Sequence, residues 1–220
     1  MVTSMRRSET SDQALIEAVK IYRQKRYAEA EVMADRILAM TPRHAGAQQL
    51  KALLALLRGD VDRAADAAAV SLAERPGHAQ TVDIARKTAL AVFRAAQADA
   101  AQGNSARALS GFRRALGLDG ANADVWFGLG LALQDIKDYA AAAEAFEKVV
   151  ALRPGDAKAL VNRAVSLQQL GYLADAMACY SLAYQLDPST FAAVSQALSA
   201  ASTGLLVLDL EALRDRLFKS

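Results

Sequence analysis

The chain has 220 residues, of which 53% are hydrophobic, so it can bury a sizeable core and is not expected to be disordered. Its 26 basic and 24 acidic residues leave a net charge of only +2. It therefore lacks the one-signed field that favours nucleic acid or an anionic membrane, and we expect neither as a partner.

Residues 1–10 are polar and are expected to form a flexible N-terminus. They contain Arg6 and Arg7 without an apolar signal core behind them, and no later run reaches the roughly 18 uninterrupted apolar residues of a membrane span. We therefore expect a cytoplasmic protein. Cys179 is the only cysteine, which excludes an intrachain disulfide, and its helical surroundings favour a partly buried residue over a reactive thiol.

The four prolines indicate an internal repeat of 34 residues. Pro42 and Pro76 are 34 residues apart, as are Pro154 and Pro188, and Gly120 lies the same distance before Pro154. This register leaves ten additional residues, 79–88, between the second and the third unit. The five units are 11–44, 45–78, 89–122, 123–156 and 157–190.

Other positions of the repeat agree with this register independently of the prolines. The eighth position holds a small residue in all units: Ala18, Ala52, Ala96, Gly130 and Ala164. The twentieth is always alanine: Ala30, Ala64, Ala108, Ala142 and Ala176. A turn glycine recurs at the fifteenth position: Gly59, Gly103 and Gly171. Agreement in so many columns indicates a true repeat.

The units resemble tetratricopeptide repeats, whose pattern combines a large residue, Leu-Gly, a Tyr-like position, Ala, an aromatic residue and Pro. The resemblance covers residues 11–190 and implies an all-α fold, a right-handed α-solenoid of five helix–turn–helix units in 11–78 and 89–190. Such units bury their apolar faces only by stacking on one another. The fourth unit matches the pattern at Trp126, Leu129, Gly130, Leu133, Ala142, Phe146 and Pro154.

Two features depart from a regular array. Gln48 and Lys51 stand where large apolar residues are usual, so the first helix of the second unit is expected to be rotated or shifted. The ten residues 79–88 contain no helix breaker, and we expect them to lengthen the helix that ends near Gln102. A kink, or a split between two sub-arrays, is the alternative.

Two glycines lie within the first helix of the fourth unit, where each should cost about 1 kcal/mol relative to alanine. In the repeats that the chain resembles, the eighth and twentieth positions lie where the two helices come closest, so Gly130 is predicted to be a packing glycine. Gly128 has no equivalent in the other units, and open space beside the inner face is one interpretation of it. Trp126 is expected to pack between helices.

The sequence contains no nucleotide-binding glycine loop, HExxH motif or nucleophile elbow. His44 and His78 are the only candidates for a metal site. They occupy the final position of adjacent repeats, at a turn, and two imidazoles without a third ligand make a poor zinc site. We therefore expect no enzymatic activity, no cofactor and no metal.

The resemblance implies that the first helix of each unit lines a concave groove, at about its second, fifth, ninth and twelfth positions. The residues there are mostly apolar or carry amides, which suits an apolar or amphipathic segment of another protein better than an acidic tail. Asn162 matches the family's common asparagine and is expected to bond a peptide backbone. Packing of Leu53 and Leu56 against neighbouring helices is the alternative. The predicted groove residues are Tyr22, Gln49, Leu53, Leu56, Phe93, Gln97, Phe127, Leu131, Gln134, Val161, Asn162, Val165 and Gln168.

Residues 191–220 are expected to form C-terminal capping helices, starting from an N-cap at Ser189 or Thr190. The second of them carries an apolar stripe, which we expect to fold back onto the array. Pairing with a second copy, or insertion into another molecule's groove, are the alternatives. The stripe comprises Leu206, Leu210, Leu213 and Leu217.

The expected function is that of a cytoplasmic, non-enzymatic adaptor or assembly chaperone, which binds its partner protein in the concave groove. Two alternatives remain open. One is a recognition or regulatory arm of a larger enzyme, because arrays of this family occur attached to glycosyl- and sulfotransferases. The other is a scaffold that self-associates through the C-terminal stripe.

Overall fold

The computed structural model describes residues 2–200 and 210–219, which form twelve α-helices, one 3-10 turn at Pro188–Thr190 and no β-strand. Each of the five expected units contains two helices joined by a short turn, so the expected all-α fold of helical hairpins is confirmed. The helices α1 to α12 are, in chain order, Val2–Arg23, Tyr27–Met40, Ala45–Arg58, Val61–Glu74, Ala79–Ala101, Ser105–Leu118, Ala123–Asp135, Tyr139–Leu152, Ala157–Gln169, Leu173–Leu186, Phe191–Ala200 and Leu210–Lys219.

The chain divides into two compact units, the first comprising Met1–Ala95 and Arg113–Gly120 and the second Ala96–Phe112 and Ala121–Ser220. In the first, α1 packs on α2, α2 on α3 and α3 on α4. In the second, α7 packs on α8, α8 on α9 and α9 on α10. Within each compact unit, the second helix of one hairpin therefore contacts the first helix of the next hairpin.

All ten residues at the eighth and twentieth repeat positions are buried. The packing role of Gly130 is confirmed, because a methyl group added there would lie 2.7 Å from Cζ of Phe146. The Phe146 ring is fully buried and meets the Phe127 ring edge to face, with centroids 5.5 Å apart. What stands close to this glycine is thus an aromatic ring rather than the backbone of the facing helix.

Gly111 is a second packing glycine, which the sequence analysis did not identify. A methyl group at this position would lie 2.7 Å from Cβ of Ala96. Gly111 lies at the twenty-third repeat position, where the other units carry Met33, Ala67, Ala145 and Cys179, so glycine itself does not recur in this column.

The turn between the two helices of a repeat unit requires a residue in the left-handed backbone conformation at the fifteenth repeat position. Gly59, Gly103 and Gly171 have φ angles of 75°, 77° and 85° there. Lys25 and Lys137 take the same place in the first and fourth units, with φ angles of 62° and 63°. The turn is thus common to all five units, although only three of them carry glycine.

Side chains at the turns also cap the helices. Asp60 and Asp138 accept hydrogen bonds from the first turns of α4 and α8, and Asn122 and Asp156 do the same for α7 and α9. These oxygens satisfy amide groups that have no partner within the helix.

His44 caps α3 through its ring. Its Nδ1 accepts a hydrogen bond from the N–H of Ala47 at 3.2 Å, and its Nε2 lies 3.1 Å from Oδ1 of Asp12. Because Nδ1 accepts, the ring hydrogen is on Nε2 and is donated to Asp12. The histidine that invited a metal interpretation therefore joins α1 to the start of α3.

The ten residues 79–88 lie within α5, which is continuous from Ala79 to Ala101. Thr81 and Thr88 of this segment are buried. The Thr81 hydroxyl accepts a hydrogen bond from Nε2 of Gln49 at 2.6 Å, and the Thr88 hydroxyl donates to the Ile84 carbonyl at 2.8 Å. Thr81 thus gives α5 a polar contact with α3, whereas the bond of Thr88 lies within α5.

The ends of the chain differ from two expectations. Helix α1 begins at Val2, so residues 2–10 are helical rather than a flexible arm, consistent with the absence of glycine and proline from this stretch. The turn before α11 is capped by Asp187, whose carboxylate accepts from the N–H of Ser189 at 2.9 Å, and not by Ser189 or Thr190.

Helix α12 packs on α10 and α11. Leu213 and Leu217 are buried in one core cluster with Val194 and Leu198, so in this chain they are not available to pair with a second copy. Leu206 lies outside the described residues, as does the side chain of Leu210. Self-association through an exposed stripe is therefore not supported for the two leucines that the structure describes.

Candidate functional site

The second compact unit brings together the predicted groove residues of α7 and α9, because these two helices contact each other. Phe127 and Leu131 are four residues apart and lie on one face of α7. Val165 occupies the ninth position of its repeat on α9, as Leu131 does on α7. We call the surface formed by Phe127, Leu131, Gln134, Asn162 and Val165 the α7–α9 surface.

The apolar part of the α7–α9 surface is partly open to solvent. Leu131 is 40% exposed, and Phe127 and Val165 are half-buried. The contact with the buried Phe146 ring holds Phe127 in one orientation. Because the three side chains sit on packed helices, they offer an apolar area that needs little ordering on binding.

The amides of the α7–α9 surface are already engaged. Nε2 of Gln134 donates to the carbonyl of Asn162 at 3.0 Å and to the hydroxyl of Ser166 at 2.9 Å. Nδ2 of Asn162 donates to the carbonyl of Lys158 at 2.9 Å, within its own helix. Gln134 therefore fastens α7 to α9, and the amide nitrogen of Asn162 is not directed at a ligand backbone in this structure.

Three predicted groove residues are buried. Gln168 is 2% exposed, accepts a hydrogen bond from the hydroxyl of Tyr180 at 2.8 Å and donates to the carbonyl of Ala197 at 3.4 Å. Gln49 is 7% exposed and bonds Thr81, while Val161 is 8% exposed within the core cluster of α9 and α10. We leave all three out of the candidate surface because their side chains are used by the fold.

The first compact unit holds Tyr22, Leu53, Leu56 and Phe93, all of which are half-buried. The Tyr22 ring packs on the core cluster of α1, α2 and α3 and lies 5.6 Å from the Tyr27 ring. These residues are thus shared between core and surface. Gln97, which belongs to the second compact unit, is exposed.

Sequence reasoning missed several exposed apolar side chains on the first helices of the repeats. Ile16, Leu57 and Leu90 are 52%, 55% and 42% exposed. Ile16 and Leu57 lie one residue beyond positions used for the prediction, and Leu90 is at the second position of its unit. A wider apolar stripe along each helix would have found Ile16 and Leu57, while Leu90 lies at a position that the prediction already used.

A separate shallow cavity of about 420 Å³ lies at the turn before α9, lined by charged and small residues. Two of the charged residues that line it have partners within the fold. Arg153 lies 2.9 Å from Asp124, and Asp156 caps α9. Hydrogen bonds from Ser189 lower the pKa of Asp187. The lining residues are Arg153, Gly155, Asp156, Ala157, Lys158 and Asp187.

Two titratable side chains near the core favour their uncharged forms. Burial raises the pKa of the Tyr180 hydroxyl and that of the Cys179 thiol, which favours the uncharged form of both. In the part of the chain that the structure describes, no three histidine, cysteine or acidic side chains lie close enough to hold a metal. None of the described helices is long and apolar enough to cross a membrane.

The fold is that of a helical repeat protein, in which helical hairpins stack on one another. Each hairpin has small residues at two fixed positions and a residue in the left-handed backbone conformation at its turn. The sequence profile of the tetratricopeptide repeat family matches residues 22–79, 93–157 and 132–190. The chain therefore belongs to the tetratricopeptide repeat family. A comparison with curated protein sequences gave no match.

Solved structures with a similar chain path include the crystal structure of MamA protein, at 17% identity and a TM-score of 0.44, over 83% of this chain and 94% of that chain. The first TPR of Spaghetti (RPAP3) bound to HSP90 peptide SRMEEVD is 22% identical, with a TM-score of 0.47, over 52% of this chain and 96% of that one. The Arabidopsis OM64 TPR domain is 18% identical, with a TM-score of 0.47, over 61% and 98%.

Proposed function

We propose that this protein is a non-enzymatic interaction scaffold that binds an apolar or amphipathic segment of another protein on the α7–α9 surface. The observation that carries the proposal is the 40% exposure of Leu131 on a helix that is fixed by packing on both α8 and α9. A single exposed leucine is ordinary, but here Phe127 and Val165 extend it into a patch on two contacting helices.

The contacts of this surface favour apolar recognition. Complete burial of a leucine-sized side chain contributes about 1.5–3 kcal/mol, and Leu131, Phe127 and Val165 each keep part of that area available. An amphipathic helix places apolar side chains at intervals of three and four residues and matches such a patch. The amide nitrogens of Gln134 and Asn162 already donate hydrogen bonds within the protein. Selectivity among partner segments therefore comes more from the shape of the apolar patch than from free amides.

Charge argues against an acidic ligand on this surface. Lys158 is the only basic residue at the four groove positions of α7 and α9, and Asp124 at the matching position of α7 is acidic. Arg153, which directly follows α8, is bound to Asp124. A carboxylate would therefore meet no cluster of free cations. The cytoplasmic location expected from the sequence remains part of the proposal.

The test compares three forms of the chain as bait in lysate of the native cell: wild type, Leu131→Glu and the control Leu152→Glu. Leu152 is 42% exposed, much like Leu131, but lies at the end of α8 outside the α7–α9 surface. We expect a partner retained by wild type and by Leu152→Glu and lost with Leu131→Glu.

Thermal unfolding of both variants should stay within about 1 kcal/mol of wild type, because both sites are exposed. Hydrogen exchange of α7 and α9 in the purified complex then shows whether the partner covers them. Equal capture by all three baits would exclude the α7–α9 surface as the binding site. A large loss of stability with Leu131→Glu alone would show that Leu131 belongs to the core.

A further inference from the structure

Helix α10 carries fewer charged residues than the second helix of any other repeat unit. Asp175 is its only one, whereas α2, α4, α6 and α8 have three or four each. Two sides of α10 pack on α9 and on α12. A helix that is apolar all round is normally buried all round. A further side of α10 nevertheless faces solvent.

The solvent-facing side of α10 is a continuous apolar ridge. Leu182 and Leu186 are 45% and 46% exposed, and Ala174 and Ala178 are exposed as well. Each of these four residues is four positions from the next, so their side chains form one ridge along the helix. We call the surface formed by Ala174, Ala178, Leu182 and Leu186 the α10 outer face.

The repeat register shows that this face is unusual within the chain. Ala178 and Leu182 lie at the twenty-second and twenty-sixth repeat positions, where the fourth unit has the exposed Glu144 and Lys148. Each of the other three units also has a charged residue at one of these two positions: Arg36, Asp66 and Arg114. Only the fifth unit has no charge there, which indicates that its face is covered in the working form of the protein.

The order of small and large side chains makes the α10 outer face complementary to itself. The two alanines lie in the first half of α10 and the two leucines in the second half. When a second α10 lies antiparallel to the first, level with it, Ala178 of each helix faces Leu182 of the other, and Ala174 faces Leu186. The large side chains then fill the space that the small ones leave.

The polar residues beside the ridge favour the same arrangement. Asp175 and Gln185 are exposed. In the antiparallel pair, Asp175 of one copy lies opposite Gln185 of the second copy, whose amide nitrogen can donate to the carboxylate. A parallel pair would instead bring the two Asp175 carboxylates together, which is unfavourable. Shape and charge therefore both select two antiparallel copies of α10.

We propose that the α10 outer face is the interface of a homodimer, with a two-fold axis that passes between Ala178 and Leu182. In such a dimer both chains use the same patch. Because each chain contributes one helix face, the interface is small and the dimer is expected to dissociate reversibly. It involves none of the residues of the α7–α9 surface, and it leaves Leu213 and Leu217 buried within their own chain.

The first test measures the mass of the full-length chain by light scattering over a range of concentrations. The mass of wild type should rise from that of one chain toward that of two. Leu182→Lys and Ala178→Glu introduce the residues that the fourth unit carries at the same positions, so the hairpin can accommodate them. Each should raise the dissociation constant of the dimer at least about tenfold.

The matched control is Leu152→Lys. Leu152 is 42% exposed and lies at the thirtieth position of the fourth unit, the position that Leu186 has in the fifth. This variant should dimerise as wild type does. The circular dichroism spectrum should be unchanged in all three variants, because every changed side chain is exposed.

Cross-linking tests the direction of the pair. Asp175→Cys and Gln185→Cys are each combined with Cys179→Ala, since alanine occupies the position of Cys179 in the second and fourth units. Mild oxidation of the two variants mixed together should link them into a dimer. Neither variant alone should be linked, because two identical residues of an antiparallel pair then lie about 15 Å apart along the helix axis.

Three results would overturn the proposal. The first is a wild-type chain that stays monomeric at every concentration. The second is a dimer that neither Leu182→Lys nor Ala178→Glu weakens, since its interface would lie elsewhere. The third is a Gln185→Cys chain that in native lysate is linked only to other proteins, which would make a foreign protein the occupant. Links within each single variant, and none in the mixture, would contradict the antiparallel arrangement.

Discussion

Lys25 and Lys137 adopt the left-handed backbone conformation, with φ angles of 62° and 63°, at the turn position where the three other units have glycine. A side chain in this conformation brings its Cβ close to the carbonyl oxygen and costs about 1–2 kcal/mol. At Lys137 the bonds of the turn enforce it. The N–H of Lys137 donates to Gln134 at 2.8 Å, and that of Asp138 donates to Leu133 at 2.9 Å. The chain accepts local strain to complete the hairpin.

Replacing Lys137 with glycine should therefore stabilise the protein by about 0.5–1 kcal/mol, since relief of the strain exceeds the added freedom of the unfolded chain. Urea unfolding followed by circular dichroism measures the change. The reverse substitution, Gly171→Ala, should destabilise by a similar amount. If Lys137→Gly lowers the stability, the lysine is held by interactions that outweigh the strain.

Glycine has opposite consequences at two helical positions. Gly130→Ala should destabilise the protein by about 1–3 kcal/mol, because the new methyl group meets the buried Phe146 ring, and this exceeds the roughly 1 kcal/mol gained in helix propensity. Gly117→Ala in α6 should instead stabilise by up to about 1 kcal/mol, since a Cβ there meets nothing within 4 Å. Opposite shifts of the urea midpoint are the expected result, and equal shifts would contradict the role of Gly130.

At the scale of single residues, the correct predictions came from repeat positions that hold the same kind of residue in several units. Alanine or glycine at the eighth and twentieth repeat positions predicted the close approach at Gly130. The turn glycines of three units predicted the hairpins. The sequence did not predict the left-handed conformation of the two lysines, because lysine rarely adopts it. Only the hydrogen bonds of the turn force it. Gly111 was not predicted because its need for space comes from Ala96 on the neighbouring helix, and the small residue at the eighth position does not show which residue lies opposite it.

At the scale of helices, buried amides and hydroxyls connect one element to the next. Gln168 joins α9 to α10 through Tyr180 and to α11 through Ala197, and Gln49 joins α3 to α5 through Thr81. Both glutamines are predicted groove residues, because the family register gives the face of a helix but not the residue that a neighbouring helix brings opposite it.

A double-mutant cycle tests the α9–α10 connection. Tyr180→Phe leaves the buried amide oxygen of Gln168 without its donor, and Gln168→Leu leaves the buried hydroxyl of Tyr180 without its acceptor, so each should cost about 1–3 kcal/mol. The double variant should cost less than the sum by about 1 kcal/mol or more, because neither polar group is then left unpaired. Additive losses, measured by thermal and urea unfolding, would mean that the bond contributes nothing to stability.

At the scale of the whole molecule, stability in such a chain is approximately a sum of terms for each hairpin and for its contacts with the next. The effect of a core substitution should therefore decay with distance along the repeats. Ala142 is fully buried on α8, at the twentieth position of the fourth unit, whereas its neighbour Ala140 is exposed. The two positions form a matched pair for the same substitution.

Ala142→Leu should overpack the hairpin of α7 and α8 and cost about 1–3 kcal/mol, while Ala140→Leu should change the stability by less than about 0.5 kcal/mol. Amide hydrogen exchange followed by mass spectrometry should show the largest loss of protection in α7, α8 and α9, and little loss in α1 and α2, because opening in repeat proteins is local. Equal loss of protection along the whole chain would show instead that the five units unfold as one cooperative body. Unchanged protection in Ala142→Leu would mean that the twentieth position tolerates bulk, and the packing rule drawn from Gly130 and its column would then not extend to the facing helix.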